Sequence, residues 1–304
     1  MTGADTQGRS PLISVVMPVY NSETFLAEAI ESILSQTLGD FELLIVYDES
    51  RDSSFAIIER HRRLDPRISV IQGQGKALIG ALNQGIDAAR GKYIARMDAD
   101  DVSYPKRFEK QVEVMESAGA DICGCHWLMI NERGKLIEAK LVPLCRDTFT
   151  IFLACEVPFA HGSVMMRAEF IQRHALRYGG SLIEDYDLWI RFFEKGAKFV
   201  NVDDFLFKWR DLDYALTRKL KKVAASKNKA LRRRFVRGNL DACVRAIQDL
   251  TKRYSTLSQA ERVSLLLASW LVSIVSKRPA LWNVVRHSSG KSIGVAVLYL
   301  VRGV

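Results

Sequence analysis

Cysteine is scarce in this chain: there are five in 304 residues, an odd number and widely scattered. That usage excludes a disulfide framework and argues for reduced thiols in a cytosolic setting. Cys123-Gly124-Cys125 is too tight for a zinc pair, and no matching Cys or His pair lies nearby, so these thiols read as core residues. The start, residues 1–10, is polar and lacks the apolar region of a secretion signal; it reads as a disordered lead-in. No apolar run reaches the roughly 20 residues a spanning helix needs. The most apolar one, Val263 to Ser276, is bracketed by Arg262 and Lys277, and Ile293 to Val301 is shorter still. Acidic residues are absent from Arg218 to Arg237, and that stretch alone is enough to account for the net charge of +9. No recognisable nucleic-acid module accompanies the basic run, so nucleic acid is not an expected partner.

What is present is globular: 48% hydrophobic and 26% charged residues. Ile13 to Val19 is an apolar run in which Pro18 is expected to end a strand. Asn21 and Ser22 can cap the next helix, with Glu23 in its first turn. Phe25, Leu26, Ala29, Ile30, Ile33 and Leu34 then recur at helical spacing. Phe41 to Val46 is a second strand, Ile68 to Ile71 a third, Lys76 to Ala89 a helix, and Tyr93 to Ala95 a fourth strand. Strands alternating with helices predict an α/β fold with a mostly parallel, Rossmann-like sheet. In such sheets ligands bind at the carboxyl ends of the strands. Three polar stretches fall there: Pro18 to Asn21, Asp48, and Asp98 to Asp101.

The last of these packs three carboxylates, Asp98, Asp100 and Asp101, into four positions. Like charges this close repel, so such a cluster calls for a cation. A divalent metal bridging phosphate oxygens is one solution, and a solvated Asp-rich turn is the plain alternative.

Four ordered motifs carry a resemblance. Ser14 to Asn21, Ile45-Val46-Tyr47-Asp48, Ala95 to Asp101 and Glu184-Asp185-Tyr186-Asp187-Leu188-Trp189 together resemble the family 2 glycosyltransferases, inverting nucleotide-sugar-dependent enzymes of the GT-A fold. The resemblance implies a GT-A domain over 11–212, with a nucleotide-binding half (11–101) and an acceptor half (102–212). A helical, basic extension over 213–304 would follow. It implies nucleotide-sugar contacts at Pro18, Tyr20, Asn21, Glu23, Asp48, Arg96 and Asp98. Asp100, with Asp98, would hold Mn2+ or Mg2+, and UDP is the expected nucleotide. Asp101 would lie behind the metal site or cap a helix starting near Pro105. Asp185 would be the general base, with Glu184 beside it; helix-dipole compensation is the plain reading of that pair. His161 and Trp189 would line the acceptor pocket. The chain departs from the pattern at Tyr47 (usually acidic), Glu49 (usually glycine) and Leu212, where members often carry a histidine that helps hold the metal or diphosphate. Arg210, two residues earlier, would supply phosphate counter-charge.

The reading is an enzyme that moves a sugar from a nucleotide diphosphate to a saccharide or lipid-linked saccharide in polysaccharide synthesis. The alternative is an impaired GT-A-fold binding or scaffold protein, favoured by the three departures. Leu216, Leu220, Val223, Ala224, Leu231 and Phe235 thread the basic run at nearly helical spacing, as in a membrane-surface helix. With Trp270, Trp282 and Tyr299 near basic residues, the tail predicts peripheral docking on the inner membrane face of a cytoplasmic protein.

Overall fold

A computed structural model describes residues 10–179, 183–212 and 221–252, with isolated positions between 256 and 272. Nine strands among them form one sheet in the order β3-β2-β1-β4-β8-β6-β9-β5, with β7 paired to β6. The strands are β1 (Ile13–Val19), β2 (Phe41–Tyr47), β3 (Ile68–Gln72), β4 (Tyr93–Arg96), β5 (Val102–Ser103), β6 (Ile122–Ile130), β7 (Leu136–Lys140), β8 (Met165–Arg167) and β9 (Phe199–Arg210). The first half is parallel throughout: β1 pairs with β2 and β4, and β2 with β3. Helices α1 (Leu26–Leu34), α2 (Ser54–Leu64) and α3 (Ala77–Ala88) make the crossovers. Both faces of β1 and β2 are covered, which is why these strands read as continuous apolar runs rather than alternating ones. Antiparallel pairs enter in the second half, where β8 lies between β4 and β6. The long β9 runs parallel to β6 and also reaches β5.

Two local expectations change. Strand β1 continues through Pro18, which pairs in register with Val46. The Val16 carbonyl accepts from Met97 N–H on the β4 side. Two residues on, Pro18 therefore faces the same edge, but β4 pairs only as far as Val16, so no ladder bond is missing there. The helix expected near Pro105 begins at Arg107, as α4 (Arg107–Ala118), after the short β5.

Helices α5 (Arg146–Cys155), α6 (Ala168–Arg173) and α7 (Glu184–Glu194) build the second core. Leu188, Trp189 and Phe192 of α7 are buried in it, with Phe193 packed against it. The basic run forms α8 (Lys221–Gly238), followed by α9 (Leu240–Lys252). Its apolar residues turn inward: Phe235 is buried, its ring 5.1 Å from Phe193, and Leu231 packs on the same cluster. That part of the expected membrane-facing stripe is therefore occupied by protein, while Val223 is exposed. The lead-in 1–9, Leu216, Leu220, Trp270, Trp282, Tyr299, the stretch 293–301 and most of 263–276 lie outside the described residues; so does the Ala224 side chain.

Candidate active site

The carboxyl ends of β1, β2 and β4 meet at one edge, and each of the first two carries a loop. The β1 loop turns at Asn21, a non-glycine residue with φ of 47°, and is latched to the β2 loop by reciprocal bonds. Asn21 N donates to Ser50 Oγ and Arg51 N to Asn21 Oδ1, both at 3.0 Å. Glu23 N donates to Asp52 Oδ2 and Ser53 N to Glu23 Oε2. The side chains of Asn21 and Glu23 thus hold the loop pair together. Tyr20 stands 62% exposed above them. Asp48 accepts from Gly75 N at 3.1 Å. A Cβ on Gly73 would lie 2.0 Å from Asp48 Oδ1, so only glycine lets that loop approach the carboxylate. Tyr47 braces the β2 loop: its hydroxyl accepts from Ser50 N, and its ring lies 5.2 Å from that of Phe55. Glu49 is exposed beside it.

Below the β4 end, Arg96 is almost fully buried and organises the acidic cluster. Its Nη2 donates to Asp98 Oδ1 at 2.5 Å, its Nη1 to the carbonyls of Met97 and Val16, and its Nε to His161 Nε2 at 3.3 Å. Against the cost of burial, the Arg96 charge holds Asp98 below the ordinary carboxylate value. Asp100 lacks such a clamp; burial and then the Asp98 charge push it up to about 6. Asp101 is buried, and desolvation with the Asp100 and Asp98 charges raises it well above the ordinary value. Its Oδ1 accepts from Arg210 N at 2.8 Å, while its Oδ2 is buried without a hydrogen-bond partner. Asp101 is therefore neither exposed nor a helix cap.

Arg210 closes the cluster from the far strand. Nε donates to the Asp100 carbonyl, Nη1 to the carbonyls of Asn131 and Glu132, and Nη2 to Glu28 Oε2. The guanidinium also lies 4.2 Å from the Phe25 ring centre. All three of its nitrogens are engaged within the protein, so its evident work is to hold the acidic loop. Leu212 is buried.

The opposite wall comes from the second half. His161 Nε2 lies 2.9 Å from the Tyr178 hydroxyl as well as facing Arg96 Nε. Arg96 can only donate, so Nε2 carries the lone pair and His161 is the Nδ1–H tautomer. Burial, with Arg96 beside it, takes its pKa down to about 3, so it is neutral. Tyr178 is fixed by Asn83, whose amide bonds both its N–H and its carbonyl. At the start of α7, Asp185 Oδ1 accepts from Tyr186 N at 2.7 Å. Burial, then the Glu184 charge, raises Asp185 to about 7, with Asp98 contributing from across the site. Trp189 is fully buried; its ring packs edge-on to Phe159 and His161, so it supports the wall from behind.

Tyr178, Arg107, Glu28 and Gly162 are parts of the site that motif reading missed. Arg107 is fully buried and donates to the Arg96 carbonyl. A Cβ on Gly162 would lie 2.6 Å from Phe207 Cζ and 3.0 Å from Asp98 Oδ2, so this glycine allows the backbone to meet the acidic cluster. Only Gly162 had a signal in the sequence, its place beside His161.

Chemically, the arrangement sets a clamped carboxylate and two poorly compensated ones opposite a carboxylate poised to exchange a proton near neutrality. Among the described residues, no group of three or more His, Cys, Asp and Glu converges to hold a metal by protein ligands alone. One or two carboxylates shared with phosphate oxygens need no such cage. The raised Asp100 and the orphaned Asp101 oxygen fit a site that gains from an added cation.

A model of the family described as Glycosyl transferase family 2 matches residues 14–174. EpsE of Bacillus subtilis strain 168, whose name assigns it provisionally to the glycosyltransferases, is 37% identical over 217 residues, 69% of this chain and 76% of its own. The O-antigen biosynthesis glycosyltransferase WbnJ of Escherichia coli is 32% identical over 202 residues, 66% of this chain and 79% of its own. Among solved structures, S. aureus TarS 1-349 in complex with UDP-GlcNAc superposes with a TM-score of 0.57 at 15% identity, covering 91% of this chain and 90% of that one. The mannosyltransferase PcManGT from Pyrobaculum calidifontis, in complex with GDP-Man and Mn2+, gives 0.56 at 13% identity, covering 94% and 88%.

Proposed function

The chain belongs to the family 2 glycosyltransferases and has their GT-A fold, and on that premise we propose that it is an inverting enzyme with Asp185 as general base. The observation that carries the reading is a carboxylate brought to about 7 by burial and by Glu184, facing the acidic loop. A base is most useful when its pKa lies near the working pH. Asp185 takes the proton of the acceptor hydroxyl as that oxygen attacks the anomeric carbon, and the nucleoside diphosphate leaves from the opposite side. Asp48 and the latched loops around Asn21, Glu23 and Tyr20 cradle base and ribose, with Pro18 beneath. Asp98, held by Arg96, lies on the ribose side. Asp100, with Asp98, would hold Mn2+ or Mg2+, which would offset the charge of the leaving diphosphate. His161, fixed as a neutral ring, lines the acceptor side. Arg210 acts by holding the loop, not by touching phosphate.

The donor is a UDP- or GDP-sugar, as in the complexes of TarS and PcManGT. The acceptor is a saccharide of a surface polysaccharide, as the naming of WbnJ for O-antigen biosynthesis supports. No helix among the described residues is long and apolar enough to cross a membrane. The basic, exposed side of α8, with Arg233, Arg234 and Arg237, is suited to peripheral contact with an anionic membrane face if the acceptor is lipid-linked.

The test is thermal stability against nucleoside diphosphates, with and without manganese. A metal-dependent rise with one nucleotide is the expected result. No rise with any would favour a scaffold protein disabled at Tyr47, Glu49 or Leu212.

A further inference from the structure

A run of exposed apolar residues lies on the hairpin whose other end receives Arg210. Leu136 (55%), Ile137 (52%), Leu141 (49%) and Leu144 (44%) are all exposed within one short stretch. They belong to β7 and the segment after it. Among the described strands β7 pairs only with β6, so its other edge carries unpaired backbone groups. Such an edge is a template for another strand. Residues 136–139 are exposed on both faces of the ribbon.

We propose that this edge pairs with the same edge of a second copy of the chain, antiparallel, about a two-fold axis at Ala139. A two-fold that keeps the sheet's faces must fall on a residue, which leaves few registers. Centring on Glu138 sets two carboxylates opposite each other, and centring on Lys140 sets two ammonium groups opposite. Centring on Ala139 places Glu138 opposite Lys140 twice within the regular part of β7, and brings Ile137, where the β6–β7 register shifts, near Leu141. Every charge then meets its opposite and the apolar residues meet each other. Within one chain Glu138 and Lys140 are already paired, at 2.6 Å, and the dimer exchanges that contact for cross-strand ones.

A bilayer fits the same patch less well. The hairpin leads with Glu132, Arg133 and Lys135, a turn fixed by Asn131 Oδ1, which accepts from Arg133 N and Lys135 N. That charged tip would have to enter lipid before Leu136 and Ile137. The pairing also sits close to the chemistry, since the carbonyls of Asn131 and Glu132 receive the guanidinium of Arg210. A short ribbon with four apolar side chains per copy places the interface at the small, weak end, with a dissociation constant in roughly the micromolar range.

The experiment is sedimentation equilibrium of the full chain with charge variants. Wild type is expected to dimerise, and Glu138→Lys or Lys140→Glu alone to weaken dimerisation at least about tenfold. Mixing the two variants should restore a heterodimer, because one chain then presents only ammonium groups at the two facing positions and the other only carboxylates; this also controls for misfolding. Ala139→Cys should form a disulfide-linked dimer under mild oxidation, well above the wild-type background, while Leu144→Cys should not. A wild-type monomer at about 100 μM would overturn the proposal. So would dimers indifferent to both charge variants, or binding of the monomer to anionic phospholipid vesicles that is lost in Ile137→Ser.

Discussion

Replacing Asp185 with asparagine should remove activity and, at neutral pH, make the protein more stable. The Asp185 carboxyl rises from an ordinary 3.8 to about 7 because folding buries it beside Glu184. The folded state therefore binds the proton more tightly than the unfolded chain. Between those two values the unfolded state is ionised while the folded one keeps its proton, so stability falls as pH rises from about 4 to about 7 and is level above that. Each unit is worth about 1.4 kcal/mol, so the cost at pH 8 is at most about 4 kcal/mol, and about half of that is realistic once local relaxation is allowed. Asparagine has no such cost. With about 2.1 cal/mol/K of unfolding entropy per residue, the gain for a chain of 304 residues is a rise in Tm of roughly 3 °C at pH 8, at most about 6 °C, shrinking to near zero at pH 4. Calorimetry across that range is the assay. The same pKa predicts the wild-type rate. With the base about one-tenth ionised at pH 6 and nine-tenths at pH 8, kcat/KM climbs through about 7 and then levels. A Tm difference that does not change with pH, or a less stable Asp185→Asn at pH 8, would show that the carboxylate is compensated in the folded state, and the argument for a poised base would fail.

Asp100→Asn should abolish the manganese-dependent nucleotide shift in Tm while raising the ligand-free Tm above pH 6, because burial and Asp98 press on that carboxylate. Arg210→Lys keeps the charge but loses the fork that reaches Asp100, Glu28 and the 131–132 carbonyls; we expect a donor KM raised at least about fivefold and a loss of about 1–3 kcal/mol in denaturant unfolding. Gly162→Ala should destabilise by about 1–3 kcal/mol by pressing a methyl group on Phe207 and Asp98, read as a lower midpoint with unchanged denaturant slope.

The first half of the sheet was legible because its strands are buried on both faces and end in polar residues. Ile13 to Val19 and Phe41 to Val46 announce themselves as apolar runs, and Asp48 and Asp98 to Asp101 stand where α/β ligands bind. Pro18 misled only because the neighbour its missing N–H would have faced stops two residues earlier. What sequence could not carry is partnership across long separations. Nothing local tells that Arg210 reaches the Asp100, Asn131 and Glu132 carbonyls and Glu28, that Tyr178 is held by Asn83, or that Asp101 is buried. Trp189 sits in a motif yet packs behind the wall, because a helix start and its apolar face share the same few residues. On α8, spacing foretold an amphipathic helix, but not that Leu231 and Phe235 find their apolar partner in α7 and its surroundings.

The bond from Arg210 N to Asp101 joins residues 109 positions apart. At about 5–20 residues per second, a ribosome releases the acidic loop some 5–20 s before the strand that pins it. For that interval three carboxylates lie together with Arg96 as their near counter-charge and without the β9 brace. The nascent first half of the sheet can therefore pair β1, β2, β3 and β4 early, whereas the brace on its acidic loop waits for β9. The last strand to arrive is the one that makes the acidic loop a site.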